Sequence, residues 1–108
     1  MEPKLLVVLV TAPVDQAESL AETWVSERWA ACANVVREVK SLFWWDGGVD
    51  RENEALIVLK TAPDGFDTLA RGIRDTHPYD VPEIIALPVS QADEAYAEWV
   101  RNEVRGAP

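Results

Sequence analysis

The feature that most restricts what this chain can become is a pair of long extended arms joined by a tight turn. Val35 to Trp45 reads as one extended segment, Asp46-Gly47-Gly48 supplies a hairpin turn, and Val49 to Thr61 brings the chain back. Each arm runs to about a dozen residues, roughly twice the usual strand length. A chain of 108 residues makes one domain, spanning 1–108, and a small sheet. Such a sheet cannot pair both arms along their whole length. The far end must project, and it carries Phe43, Trp44 and Trp45 in a row. Left in water, that end would be an exposed apolar patch. The sequence therefore predicts that another subunit covers it.

The strand patterns point the same way. Ala55, Ile57 and Leu59 face one side of the returning arm, and Leu56, Val58 and Lys60 the other. Leu5 to Val10 is a short apolar run with no polar face, which predicts a central strand covered on both sides. Pro13 stops it. Three helical patterns follow, and they are expected on one face of the sheet, so something outside the chain must cover the other.

The first helix is marked by Asp15 and Glu18 at the spacing of a variant capping box, with Ala17, Leu20, Ala21, Trp24, Val25 and Arg28 as its stripe. Trp24 is expected in the core and Trp29 half exposed beside it. Ala30-Ala31-Cys32-Ala33-Asn34 closes the helix and opens a strand, and Cys32 among alanines reads as a small buried hydrophobe. Its other reading is a soft metal ligand, which needs a thiolate and a partner. The second helix starts at Pro63-Asp64, carries Phe66, Leu69, Ala70 and Ile73, and ends near Thr76, because Pro78 forbids helical geometry at His77. A last strand with Pro88 near its end belongs at an edge. Ala92, Ala95, Tyr96, Trp99 and Val100 form the stripe of a third helix, and Gly106-Ala107-Pro108 should fray. The order β-α-β-β-α-β-α is an α+β ferredoxin-like βαββαβ sandwich with an extra C-terminal helix and an antiparallel sheet.

Charge narrows the function. The net charge is −9 and nucleic-acid binders normally carry a basic footprint, so that class is set aside. The same field concentrates cations. One cysteine excludes an intrachain disulfide and a CxxC motif. No apolar run approaches the roughly 20 residues of a membrane span, and no signal peptide is evident, so a cytoplasmic protein is expected.

The candidate site is His77-Pro78-Tyr79-Asp80-Val81-Pro82-Glu83, which holds the one histidine in the chain. Two prolines stiffen this joint between helix and strand and hold an imidazole, a phenol and two carboxylates in set directions. It reads either as a site or as a rigid turn whose His77 caps a helix end. His77 can supply nitrogen to a metal, and Glu83 or Asp80 oxygen. Lys60 ends its strand as a cation facing a cleft near Glu83, or as a snorkelling side chain. No nucleophile–base pair, phosphate loop or cofactor fingerprint is present, so neither an enzyme nor an organic cofactor is expected.

Taken in order, the marks Thr11-Ala12-Pro13, Ala30-Ala31-Cys32-Ala33-Asn34, Ser41-Leu42-Phe43-Trp44-Trp45, Leu59-Lys60-Thr61, His77-Pro78-Tyr79 and Pro82-Glu83, with Tyr96 and Trp99, resemble the CutA divalent-cation tolerance family. The resemblance covers nearly the whole chain. It implies a compact homotrimer with an architecture similar to the PII signalling proteins, an association with copper (Cu²⁺) and other divalent cations, and no established catalytic reaction. The metal candidates are then His77, Glu83 and Cys32. A PII-like alternative is a small-molecule sensor whose ligand sits between subunits near Lys60, Tyr79, Glu83 and Trp99. In one respect the chain departs from the resemblance. Some bacterial members carry cysteines at the positions of Val10 and Gly72 and a histidine at that of Thr76. Here a copper site shared between subunits, or a weak oxygen-rich one, fits better than a tight site in one chain.

Overall fold

A computed structural model describes residues 2–105. The elements are β1 (Leu5–Pro13), α1 (Ala17–Ser26), β2 (Cys32–Trp45), β3 (Gly48–Thr61), α2 (Phe66–Thr76), β4 (Ile85–Val89) and α3 (Glu94–Glu103). The four strands form one antiparallel sheet in the order β2-β3-β1-β4. This is the split βαβ topology expected from the order of elements. The C-terminal Gly106-Ala107-Pro108, expected to fray, lies outside the described residues.

The two arms of the hairpin pair along their length, from Cys32↔Lys60 to Trp45↔Gly48, with one irregularity between Val36 and Val39. Only the Glu54–Thr61 half of β3 also pairs with β1. The other half projects, and the molecule reaches 44 Å along its longest axis against 26 and 23 Å across. At the projecting end Trp44 is 76% exposed and Trp45 68%.

One face of the sheet is closed by α1 and α2. Val8, Val10 and Ala12 of β1 and Ala55, Ile57 and Leu59 of β3 meet Ala17, Ala21, Trp24, Leu69 and Ile73 there. Each of the larger aliphatic side chains among these contributes about 1.5–3 kcal/mol through burial. Trp24 is fully buried, and its indole Nε1–H donates to Thr76 Oγ1 at 2.9 Å.

The third helix departs from expectation. It does not join the others but packs Ala97 and Val100 on Leu5, Val7, Val89 and Ala31, a separate cluster at the opposite face. Two local readings also change. The first turn of α1 begins after Gln16 with no side-chain cap, so the Asp15/Glu18 box does not form. The helix α2 begins at Phe66 rather than at Pro63, because Gly65 N–H closes a turn on Ala62 C=O first. Beyond α3, the second face stays uncovered. Its rows run Val36–Leu56–Thr11 and Asn34–Val58–Leu9–Ile85, and it ends in Cys32–Lys60–Val7–Leu87.

Candidate functional site

The sequence-predicted site residues fall into two groups, at opposite ends of the sheet. The first is the joint. Helix α2 stops at Thr76 because Pro78 pushes His77 into extended geometry, φ −74° and ψ 140°. The imidazole is then buried between Trp24, with ring centroids 6.5 Å apart, and Tyr79 at 4.7 Å. Both ring nitrogens are engaged. Nε2 lies 2.8 Å from Thr11 C=O, an acceptor, so Nε2 carries the hydrogen. Nδ1 then accepts from Tyr79 N–H at 3.1 Å. Binding a metal at His77 would require opening one of these bonds.

Tyr79 reaches in the other direction, donating from its hydroxyl to Glu54 Oε2 at 2.7 Å. Glu54 is only 7% exposed. Burial first, then the bond to Glu54 and the negative charge of Glu54 and Glu52, hold the Tyr79 hydroxyl protonated well above the usual phenol range. Glu54 escaped the reading of the sequence, because it continues the alternation of Leu56 and Val58, which is that of the open face, and nothing local marks it for burial. Asp80 and Glu83 stand exposed beyond the joint.

The second group gathers around the last row of the open face. Cys32 and Lys60 are cross-strand partners, and Lys60 is in turn opposite Val7. Lys60 Nζ donates to Asn34 Oδ1. From α3, Tyr96 brings its hydroxyl to 3.4 Å from Cys32 Sγ, and Trp99 lies one turn on with ring centroids 5.8 Å apart. The bond to Cys32 first, then burial, pushes the Tyr96 hydroxyl up to about 12. Cys32 is half-buried rather than enclosed among the alanines, because Ala30 and Ala33 pack into the core under α1 and α2 while Ala31 and Cys32 meet α3. The structure thus joins Lys60 and Cys32 to the helix that bears Trp99, and leaves Tyr79 and Glu83 elsewhere.

A single chain does not assemble a metal centre from these parts. Cys32 lies in the row of Val7 and His77 bonds to Thr11, four residues on, which is about 13 Å along a strand. Among the described residues, no group of three or more His, Cys, Asp and Glu side chains is placed to hold a metal ion. Nor, among those residues, is any helix long and apolar enough to cross a membrane.

The profile of the CutA1 divalent ion tolerance protein family matches residues 6–103. The chain belongs to the CutA1 family. The divalent-cation tolerance protein CutA of Thermus thermophilus is 40% identical over 97 residues, which cover 89% of this chain and 94% of that protein. The chloroplastic CutA 1 of rice is 41% identical over 101 residues, 93% of this chain, but the chain spans only 57% of that relative's length. The crystal structure of CutA1 from Oryza sativa superposes with a TM-score of 0.91 at 37% identity, over 99% of this chain and 100% of that one. The Thermus thermophilus structure gives 0.89 at 37% identity, over 94% and 99%.

Within the CutA1 fold, the three departures noted in the sequence have physical counterparts. Val10 is fully buried under the helices. Gly72 lies beneath the Trp29 indole, where a Cβ would stand 2.7 Å from Cη2 and closer still to Cζ3 and Cε3. Thr76 Oγ1 accepts the Trp24 indole hydrogen and donates back to Gly72 C=O at 2.8 Å. Each position serves the core in this chain.

Proposed function

We propose that this chain acts as a homotrimeric divalent-cation tolerance protein with copper (Cu²⁺) among its cations, bound between copies. Family membership supports the first part. The observation that carries the assembly is the second sheet face, where Val36 is 46% exposed and Ile85 and Leu87 each 49%, together with the bare aromatic end of the hairpin. Two apolar surfaces of this kind on one chain call for a cover. A copper site shared between copies follows from the donors. His77, Glu83 and Cys32 are the candidates, and they are too dispersed in one chain to bind together. The proposed compartment is the cytoplasm, where a lone, partly exposed thiol stays reduced. We propose no catalytic step, since both nitrogens of the histidine are used within the fold.

Sedimentation equilibrium at micromolar concentration tests the assembly, with three chains per particle expected. Trp44→Ser with Trp45→Ser should weaken it. Cu²⁺ titration of the wild type and of that weakened variant tests the shared site: binding should fall as the trimer dissociates. A folded wild-type monomer would overturn the assembly, and a monomer that binds copper as well as the trimer would overturn the shared site.

A second reading, a PII-like sensor of a small molecule, is favoured by one observation. Lys60, half-buried on the open face opposite Cys32, donates to the Asn34 amide oxygen and, among the described residues, has no carboxylate partner.

A further inference from the structure

Within the paired part of the projecting ribbon, charge is sorted by face. The register sets Glu54, Glu52 and Asp50 of β3 opposite Val39, Ser41 and Phe43 of β2. These side chains continue the open face, because Leu56, Val58 and Lys60 follow at the same alternation. The intervening pairs Lys40↔Asn53, Leu42↔Arg51 and Trp44↔Val49 point the other way, as an extension of the helix-covered face. Three carboxylates thus stand on one side of this stretch and two cations on the other. None of these pairs sets a cation opposite a carboxylate, although that placement would stabilise the ribbon.

Each side lacks what the other carries. On the carboxylate side Glu54 is buried, and one neutral phenol on its Oε2 does not cancel its charge. The charges of Glu54 and Glu52 both act on the Tyr79 hydroxyl, so the two carboxylates crowd one spot. On the cation side Leu42, Trp44 and Val49 are 56%, 76% and 61% exposed, with Lys40 and Arg51 beside them. The spacings agree. Glu52 and Glu54 are about 7 Å apart along one strand. Lys40 and Arg51, diagonal neighbours across two strands, are about 7–8 Å apart. The two sides of one ribbon point apart and cannot meet. A second copy of the chain can bring them together.

Symmetry then restricts the contact. A two-fold contact on either side would set carboxylates on carboxylates or cations on cations. Contact between the unlike sides is head to tail, and it repeats until it closes in a ring. We infer that the Lys40–Arg51 side of one copy's ribbon docks on the Glu52–Glu54 side of the next copy, and that this head-to-tail contact closes the trimer. The inference rests on the assembly reading and names the contact that builds it. Charge pairing matters here, because three chains of net charge −9 repel one another.

Arg51→Glu and Glu52→Arg, made separately, should each raise the trimer's dissociation constant about tenfold or more in sedimentation at moderate salt. Both in one chain keep the net charge and should recover most of the loss. Arg71→Glu, exposed on α2, changes the net charge as Arg51→Glu does and should assemble as the wild type does. A second measurement reads the geometry itself. In a Cys32→Ala background, chains bearing Arg51→Cys and chains bearing Glu52→Cys are co-expressed and treated with a short bismaleimide. Covalent dimers should join unlike chains only. Linking within either population alone, as a two-fold contact requires, would overturn the inference, and so would no linking in the mixture. Single reversals that assemble like the wild type, a combined variant no better than the singles, or an equally weak Arg71→Glu would overturn it as well. If the wild type is trimeric, each of these results removes the contact and leaves the assembly reading standing. A monomeric wild type removes both.

Discussion

Gly72→Ala sets two known effects against each other, and the structure decides the sign. Gly72 lies inside α2, where alanine is favoured over glycine by about 1 kcal/mol. The new methyl would meet the six-membered ring of Trp29 well inside contact distance. Trp29 cannot simply step back. Its N–H bonds to Trp24 C=O at 3.2 Å, and its C=O accepts from Thr61 Oγ1 at 2.8 Å. Only a turn of the indole away from α2 makes room, and overpacking of this kind costs about 1–3 kcal/mol. Taken together, Gly72→Ala should destabilise the protein by about 1 kcal/mol, up to about 2. In a Trp29→Leu background, the clash is gone and the same substitution should stabilise by about 0.5–1 kcal/mol. The assay is urea unfolding of the four proteins at one fixed concentration, since assembly contributes to apparent stability. The cycle should return a coupling of about 2 kcal/mol. A stabilising Gly72→Ala in the wild type, or the same sign in both backgrounds, would refute the close approach of Trp29 as the reason for glycine.

Three further outcomes follow from particular contacts. Tyr79→Phe strips the buried Glu54 carboxylate of its donor and should cost about 1.5–3 kcal/mol at neutral pH. Because the fold raises the pKa of Tyr79, its contribution is whole below about pH 10 and lost as pH rises beyond it; melting scans into alkali should fall more steeply for the wild type than for the phenylalanine variant. His77→Ala orphans Thr11 C=O and Tyr79 N–H beside Trp24 and should cost about 2–4 kcal/mol, while His77→Asn, whose Oδ1 accepts from an N–H two residues on, should cost clearly less, as read by chemical denaturation. Arg28 sits at φ 64°, so Arg28→Gly relieves about 1 kcal/mol of backbone cost but loses the bonds to the C=O and carboxylate of Glu103; global stability should move little, while hydrogen exchange at Val104 and Arg105 quickens.

How far the sequence reaches can be judged residue by residue. The turn at Asp46-Gly47-Gly48 and the alternation from Ala55 to Lys60 were legible because they depend on local rules: backbone freedom at glycine and side chains that alternate along a strand. Gly47 indeed takes φ 82° and Asp46 φ 50°. The end of α2 was legible for the same reason, since proline restricts its own predecessor. The start of α1 was not. Asp15 has the composition of a cap, but the chain leaving Pro13 closes a turn through Gln16 N–H on Pro13 C=O, and the helix begins one residue later.

The amino-acid sequence by itself determined the order of elements, the length of the ribbon, the inward residues of β1 and β3 and the stop before Pro78, because each arises within a few residues of its cause. Tertiary structure alone decided which face α3 covers, since its stripe is apolar in any setting and only the packing of Ala97 and Val100 on Leu5 places it. It decided that Cys32 faces a phenol rather than alanines, that Glu54 is buried, and that Lys60 donates to the Asn34 amide. Those facts join β2, β3 and α3 across up to 64 positions of chain. Spacing along the chain carries no information about such a meeting; the closing of the sheet in space creates it.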